Sequence, residues 1–590
     1  MKKYVLGISC LYHNSAAALI RDGKIACAAE EERFTRIKGD ASFPINAIKF
    51  CMDHEGISSN DLLSVAYYEN PGIKFDRILI GMFCNMPKSI IQFVNALPDW
   101  ITNKLWIERK IKKELNYSGT VFYLKHHLSH AASCFYPSPF KKAAILTIDG
   151  VGEWSSCTWG IGNENTIELK ESLNYPNSLG LLYSAFTVYT GFRINNGEYK
   201  MMGLAPYGKP IYVEKIKKNL VSIADDGSFV LNQKYFSYTY SIKTINKKFE
   251  LLFGKSARSP KEPISDFYAD IAASIQDVTN EIILKLAKNI KEKSDCSNLV
   301  LAGGVALNVT TNGLLRSSKI FDDIWIAPAA GDAGGAIGAA FEAYYSLTKD
   351  KRRVFQGDLM KQSFLGYSIE DNDSDDNHIL QNHDAIWQNY QTKELAKIVA
   401  RLLSEGKVVG IARGKAEFGP RALGNRSILA DARDPNMLEK LNLMIKFREG
   451  FRPFAPIVIS EDAKDYFEID GISPYMLFTF PVKSNKRLPV FKAETIEQTA
   501  KLARSDIPTV THIDYSARIQ TVDKENNPFI YQILDEFKSL TGCSVLVNTS
   551  FNVNEEPIVN TAEDAYKCFM KSGIDFAVIG NRLLDKTKQI

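Results

Sequence analysis

Three of the chain's eight histidines fall within five residues, in the run His126-His127-Leu128-Ser129-His130. Residues 126 to 134 contain neither glycine nor proline, so the run suits a helix. A spacing of four then places the imidazoles of His126 and His130 on one helical face, where they could share a metal ion. A short connection leads into the apolar run AAILTI, which ends on Asp149 beside Gly150 and Gly152. Two imidazoles and a carboxylate make a coordination set for a divalent cation such as Fe(II). A lone His-x-x-x-His is more often a helix with surface or core histidines. Here the clustering, immediately before a strand with an acid at its end, favours the metal.

The elements that position these residues belong to a chain of 590 residues, too long for one core, so two or more domains are expected. Hydrophobic residues make up 45% and charged residues 24%, as in ordinary globular proteins. A net charge of +4 gives no footprint for nucleic acid or membrane, and neither is expected as a partner. The nine cysteines form no Cys-x-x-Cys pair and read as reduced thiols of a cytoplasmic protein. The N-terminus MKKYVLGISC carries too short an apolar run for a signal peptide, and no stretch has the apolar length of a membrane span.

Residues 4 to 30 read as strand, loop and strand, with a tight hairpin turn at Asp22-Gly23 and with His13, Asn14 and Ser15 in the loop. The dense charge of EEERFTRIK, residues 30 to 38, reads as a solvated face. Residues 43 to 120 look mainly helical. A second hairpin is expected after Asp149, from SSCTWGIG to TIELKESL, and residues 196 to 208, with three glycines and a proline, read as a fixed irregular loop. Residues 212 to 260 look like a peripheral insertion. A helix from about 264 to 293 leads to the strand NLVLAGGVALN, with Gly303-Gly304 at its end and Asn308 in the next turn or helix start. The strand IWIAPAAG ends at Asp332, before a helix of small residues. KDKRR and DNDSDD, between residues 349 and 375, read as a domain boundary.

Beyond it, a helix over about 393 to 405 stops at Gly406. Arg421 and Arg426 then stand near glycines, Lys446 and Arg452 lie in KFREGFRPFAPI, Arg518 starts a strand, and CSVLVNTSFN ends a strand with Asn548 and Ser550. Any one arginine is more often a surface salt bridge. Several guanidinium forks, a lysine, and hydroxyl and amide donors at strand ends suit a multiply charged phosphate compound. No Gly-x-x-x-x-Gly-Lys-Ser/Thr loop is present.

The turns after Ser9, at Asp149-Gly-Val-Gly152 and at Gly303-Gly304 resemble the phosphate and adenosine loops of the actin/Hsp70/sugar-kinase nucleotide-binding fold. HHLSHA, EYKMMGLAPYG, LAGGVALN and PAAGDAGGAIGAA, in that order along nearly the whole chain, resemble the O-carbamoyltransferase family of antibiotic and Nod-factor biosynthesis. The resemblance implies an α/β protein: a Kae1-like domain of the actin/Hsp70/sugar-kinase type over residues 1–350, and a YrdC-like domain over 351–590. It implies a metal, Fe(II) or a similar divalent ion, held by His126, His130, Asp149 and Asp332.

By the same resemblance Arg421, Lys446, Arg452, Arg518, Asn548 and Ser550 would bind carbamoyl phosphate and ATP, the latter with Mg, and yield carbamoyl-adenylate and pyrophosphate. Lys446 and Arg518 would offset phosphate charge in that step. Gly303, Gly304 and Asn308 would hold the nucleotide in the first domain, with Lys200 and Tyr207 steadying its phosphates. A small-molecule alcohol would accept the carbamoyl group, with His13 as candidate base because an imidazole titrates near neutrality. Competing readings are a tRNA threonylcarbamoyl-type transferase, against which this chain shows no basic stripe of the kind tRNA requires, and a non-enzymatic switch or chaperone of the same fold, which would need a peptide-binding module where the second domain looks like another phosphate site.

Overall fold

The computed structural model describes residues 2–355, 357–371, 374–489 and 493–589; Asn372 and Asp373 of the DNDSDD run lie outside the described residues. The chain divides into two compact units. One comprises Met1–Glu31 and Ala41–Leu359, the other Glu32–Asp40 and Met360–Ile590.

The first unit is built on two five-stranded sheets. One holds β1 (Tyr4–Ser9), β2 (Ala16–Arg21), β3 (Lys24–Glu30), β4 (Leu62–Tyr67) and β5 (Val121–Tyr123) in the order β3-β2-β1-β4-β5. The other holds β6 (Lys142–Ile148), β7 (Ser155–Asn163), β8 (Thr166–Asn174), β11 (Asn298–Ala302) and β12 (Asp323–Ile326), while β9 (Val221–Ile223) and β10 (Phe229–Leu231) pair apart as a hairpin. Its order, β12-β11-β6-β7-β8, repeats that of the first: an antiparallel meander of three strands, then two parallel ones. The strands that carry this pattern are β1 and β6, flanked on both sides. β1 is buried along its whole length and β6 from Ala143 onward, so both are continuous apolar runs with no alternation. The expected hairpin forms at Asp22 and Gly23, both with positive φ. Within 43 to 120, alongside the expected helices, LLSVAY forms the strand β4, because its burial is set by β1 and β5 on either side.

Small residues bring the helices against these sheets. A Cβ on Gly7 of β1 would lie 1.9 Å from the Ala336 carbonyl oxygen, and one on Gly338 would lie 1.8 Å from that of Ser129. The glycines and alanines of the Asp332–Thr348 helix therefore seat it directly on β1 and on the His126–Phe135 helix. Arg352, from the KDKRR run expected to mark a boundary, is buried. It donates to the carbonyls of Phe135 (2.8 Å), Tyr136 (3.0 Å), Ser138 (2.7 Å) and Phe140 (2.8 Å) and so closes the C-terminal end of the His126–Phe135 helix.

Two further expectations are corrected. Residues 198 to 207 are a helix, Glu198–Leu204, and a short 3₁₀ turn, Ala205–Tyr207; Gly197 and Gly208 flank the helical segment and only Gly203 lies within it, facing open space. The EEERFTRIK run is no solvated face: Glu30, Glu31, Glu32 and Arg33 are between 1% and 4% exposed. Glu31 accepts from the backbone of Asn46 (3.2 Å) and Ala47 (2.8 Å), at the start of the Ile45–Glu55 helix. Within the second unit, Arg33 donates to the Gly419 carbonyl at 2.7 Å, and Arg36 donates to those of Pro557 (2.9 Å) and Ile558 (2.7 Å).

That unit has an eight-stranded mixed sheet in the order Trp387–Asn389, Arg582–Asp585, Phe576–Ile579, Val409–Ala412, Arg426–Asp431, Val545–Ser550, Ala455–Ile459, Gln520–Val522. The Thr392–Ser404 and Pro528–Thr541 helices pack against each other over it. No described helix is long and apolar enough to cross a membrane, and all nine cysteines are unpaired.

The packing separates glycines by role. Gly338→Ala should cost about 2 kcal/mol or more, because the added methyl meets backbone that cannot move aside. Gly203→Ala, in open space on a helix, should stabilise by about 0.5–1 kcal/mol. Melting curves of the two variants check this, and equal melting temperatures would contradict the packing described.

Candidate metal centre and anion site

His126 and His130 stand on successive turns of one helix with their Nε2 atoms 3.0 Å apart. Asp149, at the end of β6, brings Oδ2 to 3.1 Å from His126 Nε2 and 3.8 Å from His130 Nε2. Asp332, the first residue of its helix, brings Oδ1 to 3.6 and 3.7 Å from the same two atoms. Donor atoms around an ion with bonds of about 2.1 Å lie about 3.0–3.5 Å from one another. The four side chains, whose donor atoms all lie within 4.8 Å, fit such an ion in size and in their mixed nitrogen–oxygen character.

The electrostatics agree. Burial alone would push the His126 imidazolium down, yet Asp149, Glu69 and Asp332 outweigh it and raise the group to about 10. Burial would raise the Asp149 carboxyl, and the two histidines hold it well below the usual carboxylate range. The site is a field that favours a cation. His127, facing away, is pushed down to about 3 by burial and the neighbouring imidazoles, and its ring bonds to Thr147 Oγ1 (2.7 Å) and the Ser155 carbonyl (2.9 Å).

Several residues that shape this centre escaped the sequence reading. Glu153 accepts from the His126 backbone N–H through both oxygens at 3.0 Å, and from the Asn70 N–H at 2.8 Å. Glu69 lies 3.6 Å from His126 Nδ1. Burial works to raise its carboxyl, and the buried Lys74, 2.5 Å away, together with His126 holds it at about 2. Asn70-Pro71, a cap followed by proline at the first helical position, was the available signal for a helix start directly after Glu69, two residues beyond the end of β4. Gly152 leaves room for His126, since a Cβ there would meet the His126 Cβ at 2.9 Å.

The other first-unit candidates fall into two groups. His13 joins the centre: its Nε2 is 3.6 Å from Asp332 Oδ2 and its Nδ1 is 3.0 Å from Asn14 Oδ1. Gly304 donates its N–H to Asp149 Oδ1 at 3.0 Å, and Gly303, with φ +91°, approaches Ile148 so closely that a Cβ would lie 2.2 Å from its carbonyl oxygen. This turn thus orients a proposed metal ligand. Asn308 caps the Val309–Ser317 helix by accepting from Thr311 N–H at 3.1 Å and pairs its amide with that of Gln276 at 3.2 Å, so its side chain is engaged by the fold. Lys200 and Tyr207 stand partly buried on the helical segment that replaces the expected loop.

In the second unit, Arg518 ends the short strand Ser516–Arg518, where the sequence suggested a strand start. Burial pushes its guanidinium well below the usual range, and Arg421, Arg452 and Arg448 push further in the same direction. Lys446 is 4% exposed and is likewise pushed well down, by burial and then by Arg448. Its ammonium donates to the Ser550 carbonyl, to Ser550 Oγ (3.3 Å), and to the Asn552 carbonyl (3.0 Å) and Oδ1 (2.9 Å), all of them neutral. Asn548 is buried, donating to Gln520 Oε1 (2.6 Å) and the Ala422 carbonyl (3.1 Å). Arg426 is fully buried and donates to the carbonyls of Tyr367, Arg413, Gly414, Asn425 and Asn560, which makes it part of the scaffold. Arg452 lies 3.8 Å from Glu449; mutually repelling cations clustered around a lysine whose own partners are neutral make a site for an anion.

Two sheets of identical strand order around a buried cation-seeking centre define the first unit as one of the actin/Hsp70/sugar-kinase type. The chain belongs to the carbamoyltransferase family and is a carbamoyltransferase enzyme: residues 4–341 match the family model for the carbamoyltransferase N-terminus and residues 400–586 that for its C-terminus. It is 47% identical to the uncharacterized protein sll1178 of Synechocystis sp., covering 99% of this chain and 97% of that one. It is 32% identical to nodulation protein NolNO of Sinorhizobium fredii, over 97% and 79% of the two chains, and 34% identical to nodulation protein NolO of Bradyrhizobium diazoefficiens, over 78% and 79%.

Two outcomes follow from this geometry. Divalent metal, measured by elemental analysis, should bind stoichiometrically and be lost in His126→Ala/His130→Ala; stoichiometric retention would sink the assignment. For Lys446, a depressed pKa means that its proton is lost at lower pH than from an ordinary lysine. Inorganic phosphate affinity should therefore fall on the alkaline side as pH rises through that value, and Lys446→Arg should move the fall upward because guanidinium stays protonated.

Proposed function

We propose that the chain makes carbamoyl-adenylate from carbamoyl phosphate and ATP in its second unit and passes the carbamoyl group to a hydroxyl of a small molecule in its first. The observation that carries this reading is the pair of complementary fields: mutually repelling cations clustered around Arg518 and Lys446, and a buried cation-seeking centre around His126. A family with both units suits a reaction with both an anionic donor and a polarised carbonyl.

In the first half-reaction, water takes the carbamoyl carbon of carbamoyl phosphate and phosphate leaves. The carbamate oxygen then attacks the α-phosphorus of ATP and pyrophosphate leaves. Arg421, Arg452, Arg518 and Lys446 would neutralise phosphate oxygens through this exchange, while Ser550, whose Oγ donates to Asn552 Oδ1 at 2.6 Å, would help to place Lys446. The Mg that accompanies ATP belongs to that cosubstrate.

In the second half-reaction, an acceptor hydroxyl bonds to the carbamoyl carbon and AMP departs. His126, His130, Asp149 and Asp332 would hold a divalent metal, which supplies Lewis-acid polarisation of a carbonyl oxygen when bound. His13, fixed against Asn14 and facing Asp332, would take the hydroxyl proton at its ring nitrogen. Gly304 and Glu153 keep Asp149 and His126 in place. The fit of iron to this set rests on the mixed imidazole–carboxylate donors.

The two half-reactions should separate by mutation. Arg518→Ala should lower pyrophosphate release from ATP and carbamoyl phosphate by roughly a hundredfold, the scale of a lost charge-assisted contact, while still using supplied carbamoyl-adenylate. Asp149→Ala should release pyrophosphate and fail to carbamoylate an alcohol, leaving AMP as the adenylate hydrolyses. Loss of both steps in both folded variants would replace two sites with one.

A further inference from the structure

The Pro71–Cys84 helix carries two buried cations one turn apart, Lys74 and Arg77, on the stretch that begins at the metal centre. Their situations differ. Lys74 is neutralised by Glu69 at 2.5 Å and lies 4.8 Å from the centre of the Tyr12 ring. Arg77 is 9% exposed and has no ion pair or hydrogen bond among the described residues, and its Nε is buried without any partner. What it has is the ring of Tyr175, 5.0 Å from the guanidinium carbon.

The acids that act on Arg77 from a distance are already engaged. Glu69 serves Lys74 and lies 3.6 Å from His126 Nδ1; Glu153 accepts from the backbones of His126 and Asn70. A guanidinium has five N–H donors, and burial without a counter-charge is costly, more so than a single aromatic face offsets. A buried donor that the fold leaves without an acceptor calls for an explanation, and an acceptor supplied by a ligand is one. Tyr12 extends the same wall toward the proposed base, for its ring lies 4.9 Å from that of His13 and is 52% exposed.

We propose that Arg77, flanked by Tyr175, anchors an oxyanion subsite beside the metal centre, taking a phosphate or carboxylate oxygen of a ligand of the transfer step. The subsite rests on the proposed function only for the reaction that it serves. The oxyanion has two sources, the phosphate of the nucleotide or an acidic group not attached to a nucleoside, and guanidinium suits both.

The test is calorimetric titration of AMP, adenosine and inorganic phosphate into the full chain carrying Arg518→Ala/Lys446→Ala, which silences the second-unit site, with and without Arg77→Gln. Arg77→Gln should weaken AMP at least tenfold and leave adenosine unchanged. Loss for AMP alone assigns the nucleotide phosphate; equal loss for inorganic phosphate assigns a free-standing oxyanion. Unchanged affinity for both overturns the subsite. Melting curves of Arg77→Met give an independent reading. If the acceptor of Arg77 is a ligand, the empty protein should melt at the same temperature or higher, and its stabilisation by AMP or phosphate should vanish. A lowered melting temperature with ligand stabilisation intact would make Arg77 a scaffold residue and overturn the proposal. These readouts do not depend on turnover, so absent carbamoyl transfer with Arg77-dependent binding would count against the reaction and not the subsite.

Discussion

Two imidazole nitrogens and two carboxylate oxygens gathered within 4.8 Å of one another, three of the four side chains buried, are the constraint on which the first unit depends. Four such groups do not gather in a low-dielectric interior unless something positive sits among them. The acids around His126 raise its imidazolium against the effect of its own burial, which is the same demand expressed for a proton. A divalent ion would answer it better and would displace the proton, so metal occupancy and protonation are competing solutions to one field.

The ligands come from three places in the chain: one helix, the end of β6 and the first residue of another helix. Their meeting relies on backbones that approach more closely than side chains ordinarily allow. Gly7 and Gly338 seat the Asp332 helix, Gly303 brings the following amide onto Asp149, and Gly152 clears the His126 ring. Precision at the centre is therefore a property of omitted atoms around it as much as of the ligands. Arg352 adds the complementary device by tying off the end of the His126–Phe135 helix from a run far along the chain.

Where the chemistry is local, it was legible in the sequence. The spacing of His126 and His130 needs only helical periodicity, and Asp149 needs only an apolar run that ends on an acid. Asp332 could be placed only by resemblance, since an acid before a small-residue helix has many ordinary explanations. Glu69, Lys74, Arg77, Glu153 and Arg352 were missed for a common reason: a charged side chain reads as solvated unless its partner is known, and these partners are distant in sequence. The same blindness made EEERFTRIK look like surface. Gly203 misled in the other direction, because a glycine facing open space on a helix is indistinguishable by letter from one that turns the chain.

The second unit is discontinuous: Glu32–Asp40 belongs to it, whereas the rest of it begins at Met360. During synthesis, the ribosome emits this nine-residue piece long before any of its partners exist. Arg33 and Arg36 must wait while the whole of Ala41–Leu359 is made, and until then the carbonyls of Gly419, Pro557 and Ile558 that they will satisfy have not been translated. The first sheet can close early, because β3 ends just before the piece and Glu31 pins its return to the Ile45–Glu55 helix. Completion of the second unit is thus written into the first minutes of the chain's life as a pending contact, and a gene cut at residue 360 would yield a fragment with a seam open.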